Sequence, residues 1–297
     1  MNTVSSLLAL HDYAYVLVNV FAPTHFAGTS VVVFPHADGL NSTDMQAIAK
    51  QMNASQTVFA FKSEQGAATV RAYTVDSEMS VSGTALLAVA KVLDQLKRLP
   101  IEFTLSMANT SFKIKRDKMR YEFVASVGEC EVLDILQTSE ILKALQWDEM
   151  SVSSEPCVVS VAHQKHVLLE ASDAALMNAF EPDASALNPV LAAFETMPLL
   201  CVWHEKNAYV RMRVFERCKG QWTEALSSAS AVQAVGSWCV VQGLNQVNWN
   251  VQQGDYLRRA NRLSLQTDAN TRQTHIGAQI IVVGHGSLSV PQALQEE

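Results

Sequence analysis

The chain has 297 residues, of which 48% are hydrophobic, so it can bury one large core or two cores of about 150 residues each. Its formal net charge is −7, and its one basic cluster, residues 113–120, alternates around a turn at Arg116-Asp117 that indicates a solvated hairpin. These features argue against a nucleic-acid partner.

The five cysteines are widely spaced and form no C-x-x-C pair, which predicts reduced thiols in a reducing compartment. Residues 1–20 lack the basic start of a signal peptide, and the sequence holds no run of 18 apolar residues. We therefore expect a cytoplasmic protein with no membrane partner.

The first part of the chain is predicted to form mostly short strands around one long apolar helix. The predicted strands are 13–21, 29–34, 57–61, 70–75, 101–106, 112–115 and 119–126, and the predicted helices are one capped by residues 41–44 and ending near 52, and a second at 84–97. Apolar and β-branched residues fill the strands, and alanine and leucine dominate the long helix.

The second part repeats this organisation. Its predicted strands are 157–162, 166–170, 198–204, 208–215, 246–252, 262–267 and 273–283, and its predicted helices are 138–145, a short one around 174–179, and one ending near 241. We place the division at 1–130 and 131–297, with the last strand free to return to the first half. Because many strands are joined by short turns, the sequence predicts an α+β architecture rather than a parallel βαβ sheet.

One segment occurs twice. Residues 78–85 read Glu-Met-Ser-Val-Ser-Gly-Thr-Ala, and residues 224–231 read Glu-Ala-Leu-Ser-Ser-Ala-Ser-Ala. Each copy follows a strand that begins Val-Arg, at residues 70 and 210, and each opens an alanine-rich helix. The matched order of strand, turn and helix indicates an internal duplication. We call these two segments the anchor turns.

A turn of small hydroxyl residues at a helix start can bind an anion. The first amide groups of a helix have no partner within the helix and carry the positive end of its dipole. Two such turns facing each other would form a cleft for a small acid. The alternative is that Ser82 and Ser228 are only N-caps and that the small side chains only permit close packing.

Several motifs in this order resemble the PhzF-like phenazine-biosynthesis isomerase family. They are Phe26-Ala27-Gly28, Asn53-Ala-Ser55-Gln56-Thr57, Glu78 with Gly83, Gln253-Gly254 with Arg259, and Ile276-Gly277-Ala278. Residues 216–220 are also similar to an E-R-G-x-G element of the related diaminopimelate epimerases. The resemblance implies two pseudo-symmetric halves, each a mostly antiparallel sheet wrapped around a central helix, with the active site between them. It also implies cofactor-free proton transfer and a homodimer.

The sequence departs from that family at the residues that move protons. Gln56 stands where the family has a glutamate, Thr84 where it has a histidine, and Ala225 where it has an aspartate. An amide has no useful acid–base chemistry near neutral pH, whereas a well-placed carboxylate contributes roughly 10²- to 10⁴-fold to a rate. Neither anchor turn contains the cysteine that the epimerases use.

The anion-binding framework is retained. The predicted substrate-binding residues are Gly83, Thr84, Ser228, Ala229, Ser230 and Arg217. His25, in the loop after the first predicted strand, is a candidate base because histidine titrates near neutrality. Asp76, Glu78, Glu216 and Glu224 flank the anchor turns, where positioning of the turn is the competing interpretation.

No motif indicates a cofactor or a metal. The pair His163-x-x-His166 lacks a third ligand nearby, and the sequence contains no dinucleotide-binding, Walker A or serine-hydrolase motif. Three hypotheses remain for the function. They are an isomerase or epimerase of small carboxylated metabolites with an altered base, an inactive relative that binds small acids or regulates, and a structural subunit of a larger assembly.

Overall fold

A computed structural model describes residues 10–64, 66–161, 164–178, 183–192, 199–205, 209–218, 221–244 and 246–291. Its strands in the first half are Leu10–Val20 (β1), Thr29–Phe34 (β2), Gln56–Phe61 (β3), Ala68–Tyr73 (β4), Glu78–Met79 (β5), Glu102–Met107 (β6), Thr110–Asp117 (β7) and Arg120–Ser126 (β8). The later strands are Glu129–Val132 (β9), Cys157–Val161 (β10), Gln164–Glu170 (β11), Leu199–Glu205 (β12), Tyr209–Cys218 (β13), Gln221–Glu224 (β14), Gln246–Gln253 (β15), Asn261–Asp268 (β16) and Gln273–Pro291 (β17). The α-helices are Ser42–Met52 (α1), Gly83–Lys97 (α2), Ile135–Leu145 (α3), Ala184–Ala192 (α4) and Ala229–Val241 (α5).

In the first half, a closed ring of strands surrounds α2. The strands β1, β2, β3, β4, β6, β7 and β8 pair in that order, and β17 pairs with both β8 and β1. Every residue of α2 from Thr84 to Asp94 is buried. A helix with apolar residues all round is stable only when it is enclosed in this way.

The second half wraps an open sheet around α5. Here β9, β10, β11, β12, β13, β15, β16 and β17 pair in that order. Almost every residue of α5 from Ala229 to Cys239 is buried. The α+β fold with two pseudo-symmetric halves, each mostly antiparallel around a central helix, is thereby confirmed.

Smaller helices cover the outer faces of the two sheets. In the first half, α1 begins at the N-cap Asn41 and packs Met45 and Ile48 onto β2 and β3. In the second half, α3 and α4 form the corresponding outer layer, with Ile141 and Leu187 fully buried. These outer helices leave the inner ends of α2 and α5 free to face each other.

The final strand joins the halves. Residues 273–278 pair with β16 on one side and, over 273–279, with β8 on the other, and residues 280–291 continue along β1. This strand is longer than the predicted 273–283, because the glycines and small residues near its end continue to pair with β1. The division of the chain at residue 130 stays a prediction.

Other differences lie in the second half. The helix predicted around 174–179 is one turn of 3-10 helix, Ala174–Met177, and the segment around Pro189, where no helix was predicted, forms α4. The Asp183 carboxylate accepts a hydrogen bond from the backbone amide of Ser185 at 2.8 Å, which stabilises the start of α4 despite the proline. The short strands β5, β9 and β14 were not predicted.

The structure describes the side chains of three of the five cysteines and places the basic cluster. Cys157 and Cys239 are buried free thiols and Cys130 is a half-buried one. The basic cluster lies on the β7–β8 hairpin, and Arg116 donates hydrogen bonds to Asp94 at 2.6 and 2.7 Å. Within the described ranges, no helix has the length and apolar character needed to cross a membrane.

Candidate functional site

A cavity of about 740 Å³ lies between the two halves, a volume suited to a small-molecule ligand. Both anchor turns line it, together with the first residues of α2 and α5. The rest of the described wall includes residues of β2, β3, β7, β8, β10, β11, β13, β14 and α4, together with the segment before β9. The site is therefore built by both halves of the duplication.

In the first anchor turn, Ser82 is the N-cap of α2. Its Oγ accepts a hydrogen bond from the backbone amide of Ala85 at 3.1 Å and donates to the Gln56 Oε1 at 2.8 Å. Since the serine proton is directed to Oε1, the side-chain amide nitrogen of Gln56 remains as a donor toward the cavity. Gln56 is therefore a neutral hydrogen-bond donor in this arrangement and not a proton acceptor.

The second anchor turn has almost the same backbone geometry. Ser228 caps α5 with φ −146° and ψ 111°, and Ser82 caps α2 with φ −142° and ψ 111°. The Ser228 Oγ accepts from the backbone amide of Ala231 at 3.2 Å and lies 3.1 Å from the Ser230 Oγ. The Ser228 amide donates to the Gln253 Oε1 at 3.1 Å, which fixes the turn against the end of β15.

The two helix starts meet at Gly83 and Ala229. A Cβ atom added at Gly83 would lie 2.9 Å from the Ala229 Cβ and 2.5 Å from the Phe123 Cζ, so only glycine permits this approach. Among the described residues, no acceptor is recorded for the backbone amides of Gly83, Thr84, Ala229 and Ser230. Two positive helix ends with free amide donors therefore converge on one cavity.

Thr29 fixes the second anchor turn to the first half. Its Oγ1 lies 2.6 Å from the Ser227 Oγ and donates to the Asn261 Oδ1 at 2.9 Å. Asn261 in turn donates to the carbonyl of Leu226 at 3.0 Å. Thr29, Asn261 and Gln253 were not predicted as site residues, because strand-end amides and hydroxyls carry no local signal of the turn they will contact.

Glu216 is the only ionisable side chain among the described residues that line the cavity. It lies near the end of β13. Burial raises the pKa of its carboxyl group. No described residue forms a hydrogen bond or ion pair with it. A partly buried carboxyl group that no described residue pairs with is a candidate for acid–base chemistry.

The other proposed bases lie outside the cavity lining. His25 is exposed in the loop after β1 and contacts the Phe26 ring, with 5.4 Å between ring centroids. The Glu78 carboxylate accepts hydrogen bonds from Arg71 at 2.6 Å through both oxygens. Asp76 is exposed in the turn before Glu78.

Gln56 and five of the six predicted substrate-binding residues line the same cavity. These five are Gly83, Thr84, Ser228, Ala229 and Ser230. The side chain of the sixth, Arg217, lies outside the described residues, as does His163. His166 is fully buried in the second half, and no group of potential metal ligands occurs within the described part of the chain.

Comparison with known proteins finds one family over most of the chain. The family described as "Phenazine biosynthesis-like protein" matches residues 18–289. An uncharacterized isomerase of Pasteurella multocida is 31% identical over 289 residues, covering 95% of this chain and 96% of the relative. A trans-2,3-dihydro-3-hydroxyanthranilate isomerase of Pseudomonas chlororaphis is 28% identical over 224 residues, covering 73% of this chain and 76% of the relative.

The fold is shared with solved structures of low sequence identity. The crystal structure of a PhzF-family phenazine biosynthesis protein of Bacillus anthracis matches with a TM-score of 0.80 at 14% identity. The match covers 94% of this chain and 99% of the other chain. The architecture of the two halves is thus common to proteins whose sequences have diverged widely.

Proposed function

The chain belongs to the phenazine biosynthesis-like (PhzF) family, and on that basis we propose that it is an isomerase of a small carboxylate-bearing metabolite. The proton transfer would proceed without a cofactor in the cavity between the halves. The observation that carries this proposal is the meeting of two capped helix starts at Gly83 and Ala229. Four backbone amides that have no acceptor among the described residues favour a carboxylate ligand in this cavity.

The polarity of the cavity supports an acid of modest size. Its described lining contains hydroxyl and amide side chains but no lysine or arginine, so the ligand's carboxylate would depend on backbone amides and on hydroxyl groups such as those of Thr84 and Ser230. Aromatic and aliphatic side chains, including Phe123 and Leu86, line the remaining wall. A small ring or chain bearing one carboxylate fits this division of polar and apolar surface.

Gln56 has a binding role in this proposal. With its Oε1 occupied by Ser82, the free amide nitrogen would donate to a ligand oxygen. His25 remains a candidate base from the sequence, and for that role the exposed residues 23–26 would have to close over the cavity. The variant His25→Ala tests that role directly.

A second candidate function is binding of a small acid without catalysis. The neutral side chains of Gln56 and Ala225 favour it, because each stands where the family resemblance expects a carboxyl group. In this case the cavity would still hold the ligand, and the protein would act as a binding or regulatory relative of the isomerases.

Proton exchange distinguishes the two candidates. The purified protein is incubated in D₂O with small amino acids, hydroxy acids and trans-2,3-dihydro-3-hydroxyanthranilate, and deuterium at carbon is followed by NMR. We expect incorporation into at least one acid that the protein binds. Ligand-dependent line broadening without incorporation would support the binding protein instead, and neither effect with any acid would contradict both candidates.

The family resemblance also leads us to propose a homodimer. Light scattering of the purified protein would then give twice the chain mass of 32.6 kDa. A mass of one chain at the concentrations used for the exchange experiment would contradict it.

A further inference from the structure

Glu216 lies in a part of the hairpin that the first half lacks. The register pairs Tyr73 with Glu78 in the first half and Phe215 with Glu224 in the second. In the first half the strand ends at Tyr73, but β13 continues through Glu216 to Cys218 before β14 returns. The longer hairpin therefore places a carboxyl group on the cavity wall at the position where the first half has Thr74.

The cavity face of this hairpin is defined by its pairing. Glu216 lies opposite Thr223, and the backbone amide of Ala225 donates to the carbonyl of Val214 at 2.8 Å. Residues directly opposite in an antiparallel pair point to the same face, so Glu216 and Ala225 are diagonal neighbours on one face, roughly 7–8 Å apart. Ala225 also lines the cavity.

No described residue forms a hydrogen bond or ion pair with the Glu216 carboxyl group. Trp222 pairs with Arg217 and therefore lies on the opposite face of the hairpin, where its Nε1 donates to the Asn188 Oδ1 at 2.9 Å. Burial of a carboxyl group that has no hydrogen bond to a described residue disfavours its charged form and raises its pKa. Such a group exchanges protons at a pH closer to neutrality than an exposed glutamate does.

The rest of the described lining cannot move a proton near neutral pH. Gln56 is an amide bound to Ser82, and the anchor turns contribute only hydroxyl groups and backbone amides. Among the described residues that line the cavity, only Glu216 therefore carries a side chain that can take a proton from carbon near neutral pH.

We propose that Glu216 is the acid–base residue of this cavity. As a carboxylate it would take a proton from a substrate carbon next to an unsaturated or carbonyl group, and the electron pair of the broken C–H bond would remain delocalised in the substrate. The resulting carboxylic acid would return the proton to a different carbon, which forms the new C–H bond and restores the carboxylate. This inference rests on the proposed isomerase function.

The test compares Glu216→Gln with wild type in the D₂O exchange experiment, using an acid that the wild type exchanges. The control is Glu131→Gln, which changes an exposed glutamate on β9 outside the cavity lining.

We expect Glu216→Gln to lower the exchange rate by about 100-fold or more, since that is the usual contribution of a positioned acid–base group. Binding of the same acid, followed by NMR titration, should change by less than about threefold, and Glu131→Gln should retain wild-type exchange.

The pH profile gives a second readout. The wild-type exchange rate should rise as the Glu216 carboxyl group loses its proton, at a higher pH than an ordinary glutamate would do so. The residual exchange rate of Glu216→Gln should not show this rise. Exchange by Glu216→Gln at the wild-type rate would overturn the assignment of Glu216 and leave the isomerase function intact. Loss of exchange together with loss of binding would make Glu216 a binding residue and also overturn the assignment. Absence of exchange by wild type with every acid it binds would overturn both the function and the assignment.

Discussion

The Glu224 carboxylate, at the start of the second anchor turn, accepts a hydrogen bond from the Arg213 guanidinium at 2.7 Å, and the two side chains are only 7% and 6% exposed. Arg213 also lies over the Phe215 ring, 4.9 Å from its centroid. The first half contains the same arrangement near the surface, where Arg71 pairs with Glu78 and lies 5.5 Å from the Tyr73 centroid. The duplication therefore preserves an arginine that holds the start of each anchor turn.

Breaking the buried pair should destabilise the protein much more than breaking the exposed one. Glu224→Gln would leave the Arg213 charge buried without its carboxylate, which we expect to lower the free energy of unfolding by about 3 kcal/mol. Glu78→Gln is the matched change in the first half, where the glutamate is 40% exposed, and should cost less than about 1 kcal/mol. Urea denaturation of both variants measures the difference. Equal destabilisation would mean that burial does not set the strength of these pairs.

The buried His166 should make the second half sensitive to acid. Burial lowers the pKa of His166 to about 4 from its usual value of 6.5, and neither ring nitrogen has a hydrogen-bond partner among the described residues. The unfolded chain then binds a proton at this side chain that the folded chain does not, in the range between the two pKa values. The contribution of His166 to stability is full above pH 6.5 and falls by roughly 3 kcal/mol as the pH drops toward 4.

The variant His166→Leu isolates this contribution. Its free energy of unfolding, measured by urea denaturation between pH 7 and pH 4.5, should decline less steeply than that of the wild type. His25→Ala removes an exposed histidine and should retain the wild-type slope. A His166→Leu slope identical to the wild-type slope would show that His166 is protonated without cost in the folded protein.

Gly83 should be essential for the approach of the two helix starts. In Gly83→Ala the new methyl group would meet the Phe123 ring and the Ala229 methyl group, so α2 and α5 would have to separate. We expect a loss of stability of about 1–3 kcal/mol from overpacking. Affinity for a bound acid should fall by about tenfold or more, because the amides would no longer converge.

The control for the loss of backbone freedom when a glycine is replaced is a glycine outside the site, Gly284. A Cβ at Gly284 on β17 would meet only the Leu17 Cβ, at 3.9 Å, so Gly284→Ala should retain both stability and acid binding. NMR titration and urea denaturation are applied to both variants. Tight acid binding by a folded Gly83→Ala protein would contradict the role of the two helix starts in holding the ligand.

The sequence predicted the elements of the site better than their connections. The anchor turns, their serine caps and the two apolar helices were predicted because N-cap chemistry and helical periodicity are local properties. The two Val-Arg pairs, at residues 70 and 210, do not occupy equivalent positions, since the strand register aligns Arg71 with Arg213. The β13–β14 hairpin is longer than the β4–β5 hairpin, so the strand residues before the second anchor turn are displaced along the sequence. Comparison of the two sequence segments alone does not reveal such an insertion.

The position of the acid–base group could not be read from the sequence for a related reason. From the sequence, His25 was the named candidate base, and Glu216 was one of four carboxyl groups flanking the anchor turns for which positioning of the turn was the competing interpretation. Burial and pairing separate them, because Arg71 holds Glu78, His25 and Asp76 are exposed, and only Glu216 lines the cavity. Which face of a hairpin a carboxyl group occupies depends on a register that is set by the whole sheet.

A carboxyl group introduced at position 56 should substitute for Glu216. In Gln56→Glu the Ser82 Oγ would donate to the new carboxylate as it now donates to the amide oxygen, so the side chain would stay beside the anchor turn. In the double variant Gln56→Glu with Glu216→Gln we therefore expect exchange at least about tenfold faster than in Glu216→Gln alone. The single variant Gln56→Glu would hold two carboxyl groups in one cavity, whose mutual repulsion raises the pKa of the pair and moves the exchange profile to higher pH.

The position of the new carboxyl group, and not its charge alone, should decide the outcome. Ser55→Glu, at the neighbouring residue of the same wall, adds the same group without the contact to Ser82 and should not restore exchange to Glu216→Gln. Solvent exchange in D₂O of the acid used for wild type measures all of these variants. Equal recovery by Ser55→Glu and Gln56→Glu would show that any carboxylate in the cavity suffices, in which case the contact between Ser82 and residue 56 would serve only to cap α2.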